Sequence, residues 1–199
     1  MNPSNLNPVQ LLACVMALAI FVTSGCASNA EVFGNKLDPV TSVTIRYSQS
    51  PVVFYRDVAG RAAYARDYVH LAPLRINRGG AYRYYIWLGI WNTMEDAPAD
   101  HARDGFESIA IFADGEPLPL DIAGWTADAI GASEPVYLKP VASAADAYYE
   151  VTFDQLRLIA EANDIRLQST GPRTGSYEPW DDRQSARADL IGFLASPAY

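Results

Sequence analysis

A chain of 199 residues, half of them apolar and 19% charged, has the balance of a folded protein with one domain and room for a processed leader, which excludes a disordered chain. The formal net charge of −8 falls wholly after residue 26, because residues 1–26 hold no Asp, Glu, Lys or Arg; such a body is repelled by phosphate backbones and anionic lipid, which excludes nucleic acid as the expected partner. Cysteines stand only at 14 and 26, so the rest of the chain has no internal disulfide, Cys-based metal site or thiol nucleophile.

The first element is Leu11 to Val22, LLACVMALAIFV, an apolar run without a charge. It is shorter than the roughly 20 residues of a spanning helix and suits the apolar core of a secretory signal. Small residues Ser24 and Gly25 follow, then Cys26. This segment resembles the lipobox of a bacterial lipoprotein precursor, with Thr23 at the position usually held by Leu. The resemblance covers about the first 30 residues. It implies a signal peptide over 1–25, cleavage before Cys26, a diacylglycerol on the Cys26 sulfur and an acyl chain such as palmitate on its amino group. Ala27 next to the cysteine implies, by the same resemblance, an outer-membrane address facing the periplasm. Residues 26–39 are then expected to be the lipidated cysteine and a flexible tether, since ASNAEVFGNKLDP shows no apolar period.

From residue 40 to 199 a single globular, β-rich domain is expected. Val43, Ile45 and Tyr47 alternate as one face of a strand, and Pro51 to Tyr55 is a second β-favouring run. Tyr68 to Ile76 is extended but holds Pro73, which argues for an edge or a bulge. Ala81 to Trp91, AYRYYIWLGIW, is apolar or aromatic on both faces and reads as a central strand. Phe106 to Asp121 reads as a hairpin turning at Asp114-Gly115, with Pro117 and Pro119 marking its return strand as an edge. Pro135 to Leu138 and Tyr148 to Phe153 are further extended segments. Thr152 and Gln155 form a capping box before a short helix near 154–163, and Ile165 to Leu167 returns as a strand. Asp181 or Asp182 can cap a C-terminal helix near 183–195, with Leu190, Ile191 and Leu194 as its apolar stripe. The fold class is therefore mainly β (α+β): an antiparallel, sandwich-like sheet with two helices.

Candidate sites are few. Of the two histidines, His70 sits in an apolar extended stretch and reads as a structural imidazole with satisfied nitrogens. No Gly-x-Ser-x-Gly elbow, P-loop or dinucleotide fingerprint is present. Asp96, Asp100, His101 and Asp104 are the best candidates for calcium or zinc, although Pro98 and His101 occupy positions that break an EF-hand loop, and a solvated acidic loop accounts for them as well. Tyr85, Trp87 and Trp91 share one strand face, where they either stack on a sugar or apolar ligand, with Arg83 holding an anionic group, or pack between sheet layers. Arg173, Tyr177 and Trp180 lie in a turn-rich loop that is either a recognition loop or a cover over the sheet edge.

No cofactor is expected beyond the covalent lipid. The sequence points to a lipid-anchored envelope protein with a noncatalytic binding, assembly or structural role, whose partners are the membrane through its anchor and other envelope proteins or glycans. The alternative is an envelope hydrolase of carbohydrate or cell-wall material using carboxylate or metal-assisted catalysis, which needs two carboxyl groups facing across a cleft.

Overall fold

The structure is a computed structural model and describes residues 32–58, 65–93, 102–170, 175–180 and 184–195, without the side chains of 184–187. Cys26 and the signal segment lie outside these residues. Those from Val32 onward belong to one compact unit.

Strands β1 (Phe33–Leu37), β2 (Thr44–Ser48), β3 (Val52–Asp57), β4 (Arg66–Arg78), β5 (Ala81–Asn92), β6 (Ser108–Ala113), β7 (Glu116–Asp121), β8 (Ala145–Val151), β9 (Ile165–Ser169) and β10 (Gly175–Pro179) join helices α1 (Phe153–Glu161) and α2 (Gln184–Ala195). The fold is mainly β and antiparallel, as the alternation indicates. Pairing runs β8-β5-β4-β3-β10-β9-β6-β7. The path curls back on itself: beyond β7, the Ala123 N–H donates to the Tyr148 carbonyl at 2.7 Å and the Tyr148 N–H donates to the Gly124 carbonyl at 2.9 Å.

Inside the curl, alternate residues of every strand on this path make the main core, among them Phe54, Leu71, Ile86, Leu88, Ile111, Tyr149, Leu167 and Tyr177. Helix α1 contributes Leu156, Ile159 and Ala160 to it. The capping box starts α1 as expected: Gln155 N–H donates to Thr152 Oγ1 at 3.1 Å, and Thr152 N–H to Gln155 Oε1 at 2.7 Å. At the β6–β7 turn both Asp114 (φ 50°) and Gly115 (φ 87°) take the positive φ that a two-residue hairpin needs.

A second core lies on the outer face of β2, β4, β5 and β8, where Ile45, Leu74, Ile76, Tyr85, Trp87 and Tyr148 are covered by Ala127, Ile130 and Ala132 of the connection between β7 and β8. That cover is pinned by Asp38, whose carboxylate accepts from Ser133 Oγ and N–H and from the backbone N–H groups of Val40 and Thr41. The Ser133 backbone N–H is the largest cause holding the Asp38 carboxyl well below the usual range.

Four expectations are corrected. Residues 33–37, read as tether, form β1 and pair with β2. Pro135 to Leu138 is not a strand; Val136 and Tyr137 pack on the second core from an irregular segment. The stretch with Pro73 is neither edge nor bulge but the long central β4, paired through Pro73 with Ile86 of β5. Proline fits there because β3 pairs only as far as Leu71 and β2 only from Leu74, so the other edge of β4 has no ladder to interrupt at 73. In α2, Leu190 and Phe193 are buried while Ile191 is exposed, because Phe193 meets the Phe33 ring edge-on at 6.1 Å.

Candidate functional site

The aromatic residues of the outer face divide into two groups. On β5, Tyr85 and Trp87 lie under the cover and belong to the second core. Trp87 is stacked on Tyr137 with ring centroids 4.1 Å apart, and its Nε1–H donates to Asp146 Oδ1 at 3.0 Å. Burial pushes the Asp146 carboxyl up, while the indole N–H opposes that shift. Their expected ligand face is therefore closed, and packing accounts for both rings. Arg83 is exposed on the same strand, where the Tyr85 side chain beside it and then the Glu150 carboxylate favour its charge.

Trp91, four residues further along the same face, escapes the cover. Cross-strand register sets it against Tyr68, and the rings stack at 4.5 Å with 16° between planes. Register also places Tyr55 of β3 beside Tyr68. Trp180 is fixed at the end of β10 by its backbone N–H, which donates to the Val53 carbonyl at 2.8 Å. Its ring meets Tyr55 edge-on at 5.1 Å and Tyr68 at 5.5 Å, and it remains 45% exposed. The Arg66 guanidinium lies 4.9 Å over Trp180 and 5.3 Å over Tyr55, held by Asp57 through a 2.8 Å bond. Four rings and one cation thus form a continuous, half-exposed outer surface.

Trp91 Nε1–H also donates to His70 Nε2 at 3.3 Å. That nitrogen accepts only when it carries no proton, and burial pulls the His70 pKa below its ordinary value. The stability this gives is complete above the unfolded histidine pKa of about 6.5 and is lost as pH falls through the lower folded value. Tryptophan fluorescence should therefore change on acidification, with a midpoint below about 6.5, and His70→Ala should remove the transition. A wild-type signal that stays flat until the protein unfolds in acid would exclude the His70–Trp91 contact as its gate.

Of the remaining candidates, Tyr177 and Asp104 line one small pocket together with Arg56, Asp67 and Trp91. Tyr177 is buried in the main core rather than displayed on a loop, with Arg56 4.9 Å over its ring. Arg56 in turn makes two bonds to Asp67 Oδ2, at 2.9 and 2.7 Å. Arg173, Asp96, Asp100 and His101 lie outside the described residues. Asp104 is exposed, and among the described residues no group of three or more His, Cys, Asp or Glu is placed to hold a metal ion. The sequence brought Trp91 and Trp180 into view but not Tyr55, Arg66 or Tyr68. Tyr68 and His70 do alternate on one face, yet only the β3–β4–β5 register shows which rings meet.

No family model, curated protein or solved structure matches this chain.

Proposed function

We propose that this is a lipid-anchored protein of the bacterial cell envelope with a noncatalytic binding role, and that it contacts another envelope protein or a glycan through the surface of Tyr55, Tyr68, Trp91, Trp180 and Arg66. The observation that carries this reading is the half-exposed ring cluster itself. Aromatic rings with polar tips are the side chains that most often anchor protein and sugar contacts; Tyr55, Tyr68 and Trp91 stand on three paired strands, and Trp180 directly follows β10. Packing inside the curl supports a scaffold role, since Phe54, Ile86, Leu88, Ile111 and Leu167 are fully buried there. Among the described residues no helix is long and apolar enough to cross a membrane. An anchor on Cys26 would supply that attachment: each buried methylene contributes about 0.8 kcal/mol, so two or three acyl chains hold a charged body almost permanently.

A photo-crosslinking residue at 180 in cells should capture a discrete envelope component that the same probe at Leu138, 96% exposed and distant in sequence, does not. Equal capture at both positions, or none at 180, would remove the ring cluster as the contact surface. For the anchor, Cys26→Ala should leave an unprocessed precursor by mass spectrometry; unchanged mass and unchanged membrane fractionation would defeat it.

A further inference from the structure

The ring cluster has a polar neighbour. Register aligns Tyr55, Tyr68 and Trp91 in one row across β3, β4 and β5, and the adjoining row is Arg56, Asp67 and Asn92. Successive residues of a strand point to opposite faces, so the rings stand outside while the polar row turns toward the main core. Between that row and Trp91 lies a pocket, walled also by Ala102 and Asp104, with room for about 20 Å³. Such a volume holds a single water-sized group. Both Arg56 bonds to Asp67 fall on Oδ2. Among the described residues Asp67 Oδ1 accepts none, and a carboxylate has lone pairs for about four donors.

Pocket size and lining select among contact partners. A protein anchors itself with a large side chain such as Trp, Tyr or Arg in a fitted pocket, and about 20 Å³ admits none of them. A pyranose has an apolar face of C–H bonds and a rim of hydroxyl groups. Aromatic surface suits the first; planar carboxylate and carboxamide groups suit the second, because each offers several hydrogen-bonding positions in fixed directions.

Resting on the contact surface proposed above, we infer that its ligand is a glycan: sugar rings lie across Trp180, Tyr68 and Trp91, and one hydroxyl beside Trp91 enters the pocket and donates to the Asp67 carboxylate. Trp91 belongs to both the ring cluster and the pocket wall, so stacking and hydrogen bonding are read at one place.

Saturation-transfer difference NMR on the full chain in neutral detergent tests this, with soluble cell-wall glycan strands and, separately, lipid-free lipopolysaccharide oligosaccharide as probes. Saturating the aromatic protons of the protein should transfer magnetisation to the sugar C–H protons of at least one probe. Trp180→Ala removes a half-exposed ring, and Ala102→Val adds two methyl groups at the pocket wall. Each should weaken binding about tenfold or more. The O-methylated form of the same probe can neither donate nor fit the pocket, and it should not compete; this arm uses only the wild-type chain and decides the matter should Ala102→Val not fold. Undiminished binding in Trp180→Ala, equal binding of the O-methylated probe, or no transfer to either glycan would overturn the inference. In the last case, capture of a protein by the crosslinker at 180 leaves the contact surface standing with a protein partner, whereas capture of nothing removes surface and glycan together.

Discussion

Trp87→Ala is expected to lower the unfolding free energy by about 3 to 5 kcal/mol in chemical denaturation, with no direct effect on the outer ring cluster. Three losses add at this residue. The indole is 2% exposed and stacks on Tyr137, so truncation leaves a large void. Its N–H donates to a nearly buried carboxylate, Asp146. The ring also lies against Gly89, where an added Cβ would come within 2.6 Å of it, so β5 has a bare position shaped to receive it. Trp87→Phe keeps part of the packing and loses the hydrogen bond, and it should fall between wild type and Ala. Asp146→Asn retains an acceptor for the indole without a buried charge, and it should be neutral to stabilising at pH 7. A loss below about 1 kcal/mol for Trp87→Ala would mean that the face is open after all and that the second core contributes little.

The contrast between Trp87 and Trp91 marks the limit of what the sequence can show. Period-two alternation places both on one face of β5, about 13 Å apart, and nothing in AYRYYIWLGIW separates a core ring from a surface ring. The distinction is made by the connection between β7 and β8, whose short helical turn Ala127–Ile130 covers Trp87. That turn has no strong periodic signal, and Pro135 to Leu138 within the same cover imitates a strand. Local chemistry was legible where it is self-contained: the Thr152–Gln155 box and the Asp114-Gly115 turn both form as their residues indicate. Long-range register was not. Tyr177 reads as a loop residue until β10 pairs with β9 and turns it inward, and Pro73 reads as a breaker until the gap between β2 and β3 is seen beside it.

Neighbouring tyrosines on β8 give the second large effect, because Tyr148 and Tyr149 are both fully buried but face opposite cores. Tyr149 donates its hydroxyl to the Phe106 carbonyl at 2.5 Å, tying the segment before β6 to the main core. Tyr149→Phe should cost about 1 to 3 kcal/mol, since it strands a buried backbone acceptor. Tyr148 has the reverse problem: its hydroxyl is buried with no partner among the described residues, and burial raises its pKa, as do the Asp146 and Asp128 carboxylates. Removing that oxygen relieves a desolvated donor and leaves the ring packing intact, so Tyr148→Phe should be neutral or stabilise by up to about 1 kcal/mol. Equilibrium denaturation of the two variants compares one chemical change in one strand. Equal losses would show that Tyr148 also holds a polar partner, and the second core would then have to be regarded as hydrated rather than dry, since a fully buried phenol gains stability from its oxygen only when something accepts its proton.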